Sequence, residues 1–315
     1  MFNTESWSRL TEKTYNYNSR FYNSGSFKLY YSEAINDIGH YLVSPSFGDY
    51  IEVNTSDIDV VESFISDNSD KAIKLKLCSL SEDIDAQNSS IKHEGYIHQI
   101  NFDSYNNWYK NVIRRKFRNQ ISQGVRNNLK ISITNNKHDV RNFWEMHANL
   151  RLSKFKEIPQ PWAFFENIYD EYFINNQGHV IMCYDNKDDL IAGVLFLIHD
   201  NKAYYKFNAS NINALDLRPN NLIMDRLIHF LSQNSIKSLN LGYTGSSEAY
   251  IGLRKYKLGA GATEYKQYSF TNTLFKNLDK SKITSINDNI KTLIAQNPSL
   301  EKVDTFSNKY YRYFI

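Results

Sequence analysis

Apolar and polar residues follow three successive patterns between residues 203 and 243. They alternate over 203–210, which predicts a strand with one polar face formed by Tyr204, Lys206, Asn208 and Ser210. Apolar residues then recur at helical spacing over 222–231, and a second short strand follows at 238–243. We expect the two strands to be parallel neighbours that diverge at their ends, joined by a helix that begins near Asn220.

The rest of the chain also mixes helix and strand patterns. The first hundred residues predict the order βαββ, and residues 139–175 predict helices. Two apolar runs around an NKDD turn predict a hairpin, and 244–262 predicts a long loop with a glycine-rich turn at Tyr256–Gly261. We therefore expect an α/β fold of the mixed α+β kind, with segment limits at 1–107, 108–127, 128–275 and 276–315, the last being a helical extension.

The segment at 108–127 is unusual because no acidic residue occurs from Ser104 through His138. Its apolar residues step by four, which predicts one basic helix with a buried stripe formed by Ile113, Phe117, Ile121 and Val125. Arg114 and Arg118 lie beside that stripe. Charge of a single sign favours an anionic ligand, and the alternative is packing against acidic neighbours of the same fold.

Composition and the missing motifs limit the function classes. Apolar residues make up 41% of the 315 residues, and the net charge is only +3. The chain has no Walker A motif, no Rossmann glycine pattern and no Gly-x-Ser-x-Gly. The 2 cysteines and 8 histidines show no metal-ligand spacing, so we expect no metal. The start has no apolar leader and the run at 190–198 is too short for a bilayer, so we expect a cytoplasmic protein without a transmembrane segment.

Short motifs occur along the chain in a characteristic order. Arg218 and Asn221 precede the predicted helix, and the YKLGAG turn follows the second strand. Earlier come a Pro-aromatic-x-Asp-Tyr loop at Asp49 and Tyr50, a KFRNQ segment, and Arg151 ahead of two prolines. Together these motifs resemble the FemAB-like acyltransferases, a branch of the GNAT superfamily, along most of the chain and most closely in its carboxy-terminal half.

This resemblance implies two GNAT-like halves, each a mixed sheet flanked by helices, with the active cleft in the second half. It implies that Lys257, in the glycine-rich turn, stabilises a developing oxyanion, with Asn208 and Tyr243 near the mouth of the splayed strands. The alternative for Lys257 is an exposed surface lysine. The helix start would hold a donor phosphate through Arg218, Asn220 and Asn221. The remaining substrate-binding candidates are Arg114, Arg118, Asp49, Tyr50, Arg151, Tyr204, Ser210 and Tyr256.

The reaction implied by the resemblance is transfer of an acyl group to an amino group of a nucleotide- or lipid-linked glycan or another cell-envelope precursor. The absence of a glycine cradle before Asn220 argues against coenzyme A, and the low net charge argues against tRNA. We expect an acyl-CoA donor. An aminoacyl-tRNA-dependent peptidoglycan aminoacyltransferase is the alternative, and a non-catalytic module that binds RNA or a phosphorylated partner is the alternative of another class.

Overall fold

The computed structural model describes residues 1–24, 27–84 and 91–314. Packing divides the chain into two units, one formed by residues 1–97 with 265–315 and the other by residues 98–264. These limits differ from the predicted ones at 107 and 275, because the carboxy-terminal helices pack with the amino-terminal residues. The sequence also predicts a polar surface loop over residues 81–95, and part of it lies outside the described residues.

The described residues form both helices and strands in each part of the chain. The first part of the chain forms α1 (Glu5–Tyr15), β1 (Asn18–Ser24), β2 (Phe27–Asn36), β3 (Gly39–Ser44), β4 (Ile51–Glu52), α2 (Ile58–Asp67), β5 (Ala72–Cys78) and β6 (Ile91–Asn101). The middle forms α3 (Tyr105–Asn107), α4 (Arg115–Arg126), β7 (Lys130–Thr134), α5 (Lys137–Leu150), α6 (Trp162–Ile168), β8 (Gly178–Tyr184), β9 (Leu190–His199), β10 (Lys202–Ser210), α7 (Pro219–Gln233), β11 (Ser238–Gly245) and α8 (Ile251–Gly259). The end forms β12 (Thr263–Thr271), α9 (Thr273–Lys276), α10 (Ser281–Ala295) and α11 (Leu300–Tyr310).

Each unit has a mixed sheet flanked by helices. In the first unit the strand order is β1-β2-β3-β5-β12, with β3 and β5 parallel and the other neighbours antiparallel. In the second unit β7, β8, β9 and β10 are antiparallel neighbours, and β11 joins β10 in parallel. The predicted mixed α/β class is confirmed. Within the described residues, each helix is too short or too polar to span a bilayer.

Helix α7 forms as predicted between the two parallel strands. Pro219 occupies its first turn, where a missing N–H costs nothing, and Arg218 before it adopts a left-handed conformation with φ 65°. The apolar residues of α7 are buried against the sheet strands β8 and β9. Helix α4 packs closely on the start of α7, since a Cβ on Gly124 would lie 3.2 Å from Leu222 Cβ and 3.3 Å from the Arg218 carbonyl oxygen.

Two predictions about helices are wrong. The long loop predicted over 244–262 contains α8, because Leu, Arg and Lys favour helix and Gly261, at φ 88°, ends it in the left-handed region. The basic helix predicted over 108–127 is interrupted. Trp108–Val112 forms a π-helical turn, Arg114 is extended, and α4 begins only at Arg115. Of the predicted stripe, Ile113, Phe117 and Ile121 are buried, whereas Val125 in the last turn of α4 is 50% exposed.

Gly178 at the start of β8 has no room for a side chain. A Cβ there would lie 2.1 Å from Cδ2 of Phe173, whose ring is buried. We expect Gly178→Ala to lower the free energy of unfolding by about 1–3 kcal/mol, as overpacking usually does. Denaturant unfolding measures the change.

The matched control for this substitution is Gly252→Ala in α8. A Cβ on Gly252 meets no described atom within 4 Å, so alanine should raise the free energy of unfolding by about 0.5–1 kcal/mol through its helix preference. Equal destabilisation by both substitutions would contradict the packing described for Phe173.

Candidate active site

The parallel pair β10–β11 separates soon after it forms. Pairing covers only three positions, from Lys202 opposite Ser238 to Tyr204 opposite Asn240. Beyond them β10 stays paired with β9 as far as Ser210, so β11 is the strand that leaves. The predicted parallel pairing and divergence are confirmed. The gap is a cavity of about 160 Å³, which we call the splay cavity, lined by Tyr205, Asn208, Asn220, Met224, Leu241, Leu253, Tyr256 and Lys257.

A β-bulge decides which side chains of β10 enter the splay cavity. The register of β10 against β9 shifts between Tyr205 and Phe207. Tyr205 and Asn208 consequently line the same cavity, and the Asn208 amide donates to the Tyr205 hydroxyl at 3.1 Å. The strict alternation predicted for this strand is therefore wrong. Tyr204, placed by that alternation beside Asn208, is instead buried at 4% exposure and does not line the cavity.

Lys257 lies in the last turn of α8 and is 5% exposed. Its Nζ donates to the carbonyl oxygens of Gly242 and Tyr243, at 2.9 Å each. The expectation of a lysine in an exposed loop is wrong, because α8 turns this side chain toward the end of β11. Lys257 therefore fixes the path of β11 beyond the splay, and Tyr243 contributes its backbone carbonyl to that contact.

A buried histidine lies near Lys257. His98 Nε2 is 2.9 Å from Glu264 Oε1, and the Arg254 guanidinium holds the same carboxylate through bonds of 2.5 and 2.8 Å. Burial, and next the charge of Lys257, lower the pKa of His98 to about 4. His98 is therefore neutral at neutral pH, and the carboxylate of Glu264 is held chiefly by Arg254, which lowers its pKa.

Two phenols of the splay cavity stay protonated at neutral pH. Burial raises the pKa of Tyr205 and that of Tyr256 above the usual value for tyrosine. The Tyr256 hydroxyl donates to the backbone carbonyl of Asn220 at 2.9 Å. The Tyr205 hydroxyl accepts from Asn208, so its own proton can be donated into the cavity.

The start of α7 is braced by its neighbours. Asn220 Oδ1 accepts from Asn208 at 3.2 Å and from Ser210 at 2.8 Å. Arg218 Nε donates to Gln123 at 3.2 Å, and Asn221 donates to Gln120 at 3.3 Å. The side chains of Arg218 and Asn221 are thus engaged with α4, whereas the first turn of a helix still offers backbone N–H groups to an anion.

A larger groove begins where β10 ends. Its volume is about 690 Å³, and we call it the amide groove, lined by Asn142, Glu145, Met146, Asn149, Leu150, Ser153, Met182, Tyr184, Leu190, Ser210, Asn211, Ile212 and Asn213. Ser210 lines this groove and bonds to Asn220, which lines the splay cavity. A single hydrogen-bonded pair therefore links the two spaces.

The predicted basic residues do not converge on the splay cavity. Arg118 donates to the carbonyl oxygens of Tyr109, Lys110 and Ile113, so it stabilises the break before α4. The side chain of Arg114 is exposed. Arg151 pairs with Glu157 and lies over the Phe155 ring at 5.2 Å. Neither arginine predicted in the basic helix points into the cavity, because the predicted helix is interrupted at Arg114.

Asp49 and Tyr50 belong to the first unit, where Tyr50 is buried with its ring 6.1 Å from that of Phe2. Their assignment to a substrate stays a prediction.

Sequence reasoning missed Tyr205, Met224, Leu241 and Leu253 in the splay cavity and most of the amide groove. The asparagines that follow β10 at 211 and 213 were the only local indication of that groove. No group of His, Cys, Asp and Glu suited to a metal ion occurs in the described residues.

The burial of Lys257 leads to a stability prediction. Lys257→Met keeps the apolar stem but removes the donor from the buried contact with Gly242 and the partly buried contact with Tyr243, so we expect the free energy of unfolding to fall by about 2 kcal/mol or more. Lys255→Met, an exposed lysine two residues earlier on α8, should change it by less than about 0.5 kcal/mol. Equally small changes in the free energy of unfolding for the two variants, measured by denaturant unfolding, would contradict the burial of Lys257.

His147 leads to a prediction about pH. It lies within ring-contact distance of Phe143, Phe165 and Phe207, and burial lowers its pKa to about 3. The unfolded chain binds a proton at His147 near pH 6.5, whereas the folded chain excludes it. The contribution of neutral His147 to the free energy of unfolding is therefore fully present above pH 6.5, and it falls as the pH is lowered toward 3. The slope is about 1.4 kcal/mol per pH unit.

We expect His147→Gln to remove this slope from the pH dependence of the free energy of unfolding. His138→Gln, an exposed histidine on the same helix, serves as the control and should keep it. Identical pH profiles for the wild type and His147→Gln would contradict the burial of a neutral imidazole at this position.

Comparison with known proteins agrees with this geometry. No functionally curated protein matches the chain. Among solved structures, FemX superposes with a TM-score of 0.64 at 12% identity, covering 86% of this chain and 92% of that one. The C-terminal domain of a putative lysylphosphatidylglycerol synthetase from Agrobacterium fabrum gives 0.59 at 12% identity, covering 91% and 92%. L-PGS from Bacillus licheniformis gives 0.55 at 12% identity, covering 93% and 97%. These likenesses show the fold, and as far as the fold is concerned they bear out the resemblance to FemAB-like proteins.

The family comparison addresses the second unit most directly. The model of the acetyltransferase (GNAT) domain matches residues 110–267, just over half of the 315 residues. The matched region contains the splayed strands, helix α7 and Lys257, so the site described above lies within it. By this match the chain belongs to the acetyltransferase (GNAT) domain family.

Proposed function

We propose that the protein transfers an acyl group from an acyl-CoA thioester to a primary amine of a glycan or another cell-envelope precursor. The observation that carries this proposal is the splay cavity, open between β10 and β11 and adjoining the first turn of α7. A non-catalytic module would be expected to have this cleft filled by side chains. A cavity walled by polar and apolar groups favours an enzyme.

The size of the splay cavity suits the acyl end of a donor rather than the whole molecule. Its volume of about 160 Å³ is below that of pockets which enclose drug-sized ligands. The apolar wall formed by Met224, Leu241 and Leu253 would contact the acyl chain. The first-turn N–H groups of α7 would hold a phosphate without glycine, since a helix start has N–H groups that lack intrahelical partners.

The polar wall of the splay cavity has the hydrogen-bond donor and the positive charge that would stabilise the acyl carbonyl of the donor during transfer. In the proposed step the amine nitrogen bonds to the acyl carbon, the carbon–sulfur bond breaks, and one amine proton passes to the leaving thiolate. The Tyr205 hydroxyl would donate to the developing oxyanion, and the nearby charge of Lys257 would stabilise it through space. No carboxylate or imidazole is among the described residues that line this cavity, so the amine would have to arrive already neutral.

The amide groove is the proposed binding site of the acceptor. It contains one carboxylate, Glu145, and no lysine or arginine among the described lining residues. Such a wall favours hydroxyl and amide groups and disfavours phosphate, so the glycan or peptide part of the acceptor would bind there. Glu145, which also accepts from Arg141 Nε at 3.0 Å, would accept from hydroxyl or amine groups of the acceptor, and Ser210 would mark the passage toward the reacting carbonyl.

An aminoacyl-tRNA donor is the second candidate. The splay cavity would accommodate an ester carbonyl as readily as a thioester carbonyl. Lys110, Arg114, Arg115 and Lys116 are exposed near the end of α8, since the Arg114 N–H donates to the Gly259 carbonyl at 3.1 Å. Exposed cations at this position favour a donor with several phosphates, which describes coenzyme A and RNA alike.

Thiol release tests the proposal. The protein would be incubated with acetyl-CoA and an amine acceptor such as glucosamine, and then with charged tRNA in place of acetyl-CoA. We expect amine-dependent release of coenzyme A, and we expect Tyr205→Phe to reduce turnover about a hundredfold because one oxyanion donor is lost. Affinity for the donor, measured by calorimetry, should change little.

Tyr169→Phe is the control, a tyrosine of the same unit that lies outside both the splay cavity and the amide groove. Equal turnover by the wild type and Tyr205→Phe would remove Tyr205 from the mechanism. Transfer from charged tRNA without any release of coenzyme A would replace the proposed donor by the alternative one.

A further inference from the structure

A separate cavity lies on the other side of α7. Its volume is about 340 Å³, it is open to solvent, and it is lined by the 105–109 segment, α4 and α7. We call it the tyrosine–arginine pocket, after its lining residues Tyr105, Tyr109, Arg126 and Arg226. Its described lining residues are all distinct from those of the splay cavity and the amide groove, so the donor and acceptor proposed above leave it unexplained.

One wall of this pocket is aromatic and held in place. The rings of Tyr105 and Tyr109 lie 5.9 Å apart with 32° between their planes. The Tyr105 hydroxyl donates to Asp225 at 2.8 Å, and its ring meets the edge of His229 at 4.8 Å. A ring fixed in this way offers a stacking surface to a planar ligand at little cost in side-chain entropy.

The solvent-exposed side of this pocket carries positive charge. Arg126 is exposed, and no acidic partner for it occurs in the described part of the chain. Arg226 binds Asp225 through one nitrogen at 2.6 Å and is 43% exposed, so the rest of its guanidinium can meet a further acceptor. Asp225, the only carboxylate among the described lining residues, is 1% exposed and is already bonded to Tyr105 and Arg226.

We propose that the tyrosine–arginine pocket binds a nucleotide unit, with its base stacked on the tyrosine pair and its phosphate between Arg126 and Arg226. Guanidinium groups match phosphate oxygens in geometry as well as charge. Inorganic phosphate would leave the aromatic wall unused, and a neutral ring would leave the two arginines unused. This chemistry is common to free nucleotides and to unpaired residues of RNA, and it also accounts for Arg126 at the end of α4.

Calorimetry with the full chain tests this proposal. The probes are AMP and UMP, the matching nucleosides, inorganic phosphate and a short single-stranded oligoribonucleotide, each at two salt concentrations. We expect saturable one-to-one binding of the nucleotides, and weaker binding of nucleosides and inorganic phosphate. If only the oligoribonucleotide saturates the site, the source of the unit is RNA, and if mononucleotides do so it is a free nucleotide.

Two variants locate the site. Arg126→Gln should raise the dissociation constant about tenfold or more through loss of a charge-assisted bond. Tyr109→Leu should raise it about tenfold through loss of stacking. Lys187→Gln removes one positive charge from an exposed position between β8 and β9, outside the pocket, and should leave the dissociation constant unchanged.

Three outcomes would overturn the proposal. The first is the absence of saturable binding for mononucleotides and oligoribonucleotide at millimolar concentration. The second is an equal loss of affinity in Lys187→Gln and Arg126→Gln, which would indicate non-specific attraction to positive charge. The third is equal affinity for nucleoside and nucleotide, which would remove the role of the arginines.

Discussion

The early separation of two parallel strands is the constraint on which the site depends. Once β11 leaves β10, both strands lose hydrogen-bond partners that a sheet would normally supply. Part of this deficit is met by Lys257, whose Nζ binds the carbonyl oxygens of Gly242 and Tyr243 at the point where β11 has left its neighbour. The same lysine lines the resulting cavity, so the group that supports the splay is also placed beside the chemistry proposed for it.

Part of the basic segment at 108–127 has a structural role, and its other cations are exposed. Gln120 and Gln123 of α4 bind Asn221 and Arg218, and the close approach at Gly124 seats α4 on the start of α7. Arg118 is engaged with three carbonyl oxygens of the preceding turn. The cations left exposed fall at the two ends of α4, so anion binding by this helix would occur at two places. One is near the end of α8, and the other is the tyrosine–arginine pocket.

The parts predicted from sequence were those with a strong local period. The alternation at 203–210 and the helical spacing at 222–231 established the βαβ unit, because periodicity reports burial on one face. The bulge after Tyr205 has no such signature, so Tyr204 was chosen as a site residue in place of Tyr205. Helix α8 was missed because the glycine-rich turn at Tyr256–Gly261 suggested a loop, and this error placed Lys257 on a loop instead of a helix. The amide groove and the tyrosine–arginine pocket form where segments far apart in the sequence meet, and a single sequence does not reveal such contacts.

The central claim is that the acyl end of the donor binds between β10 and β11, and the four methionines of the chain can test it directly. Met224 lines the splay cavity, Met146 and Met182 line the amide groove, and Met1 lines neither. NMR spectra of protein labelled with ¹³C at the methionine methyl groups would be recorded during titration with a non-transferable acyl-CoA thioether. The account predicts a saturable shift of the Met224 methyl signal with the Met1 signal unchanged. Saturable binding that leaves Met224 unmoved would contradict it.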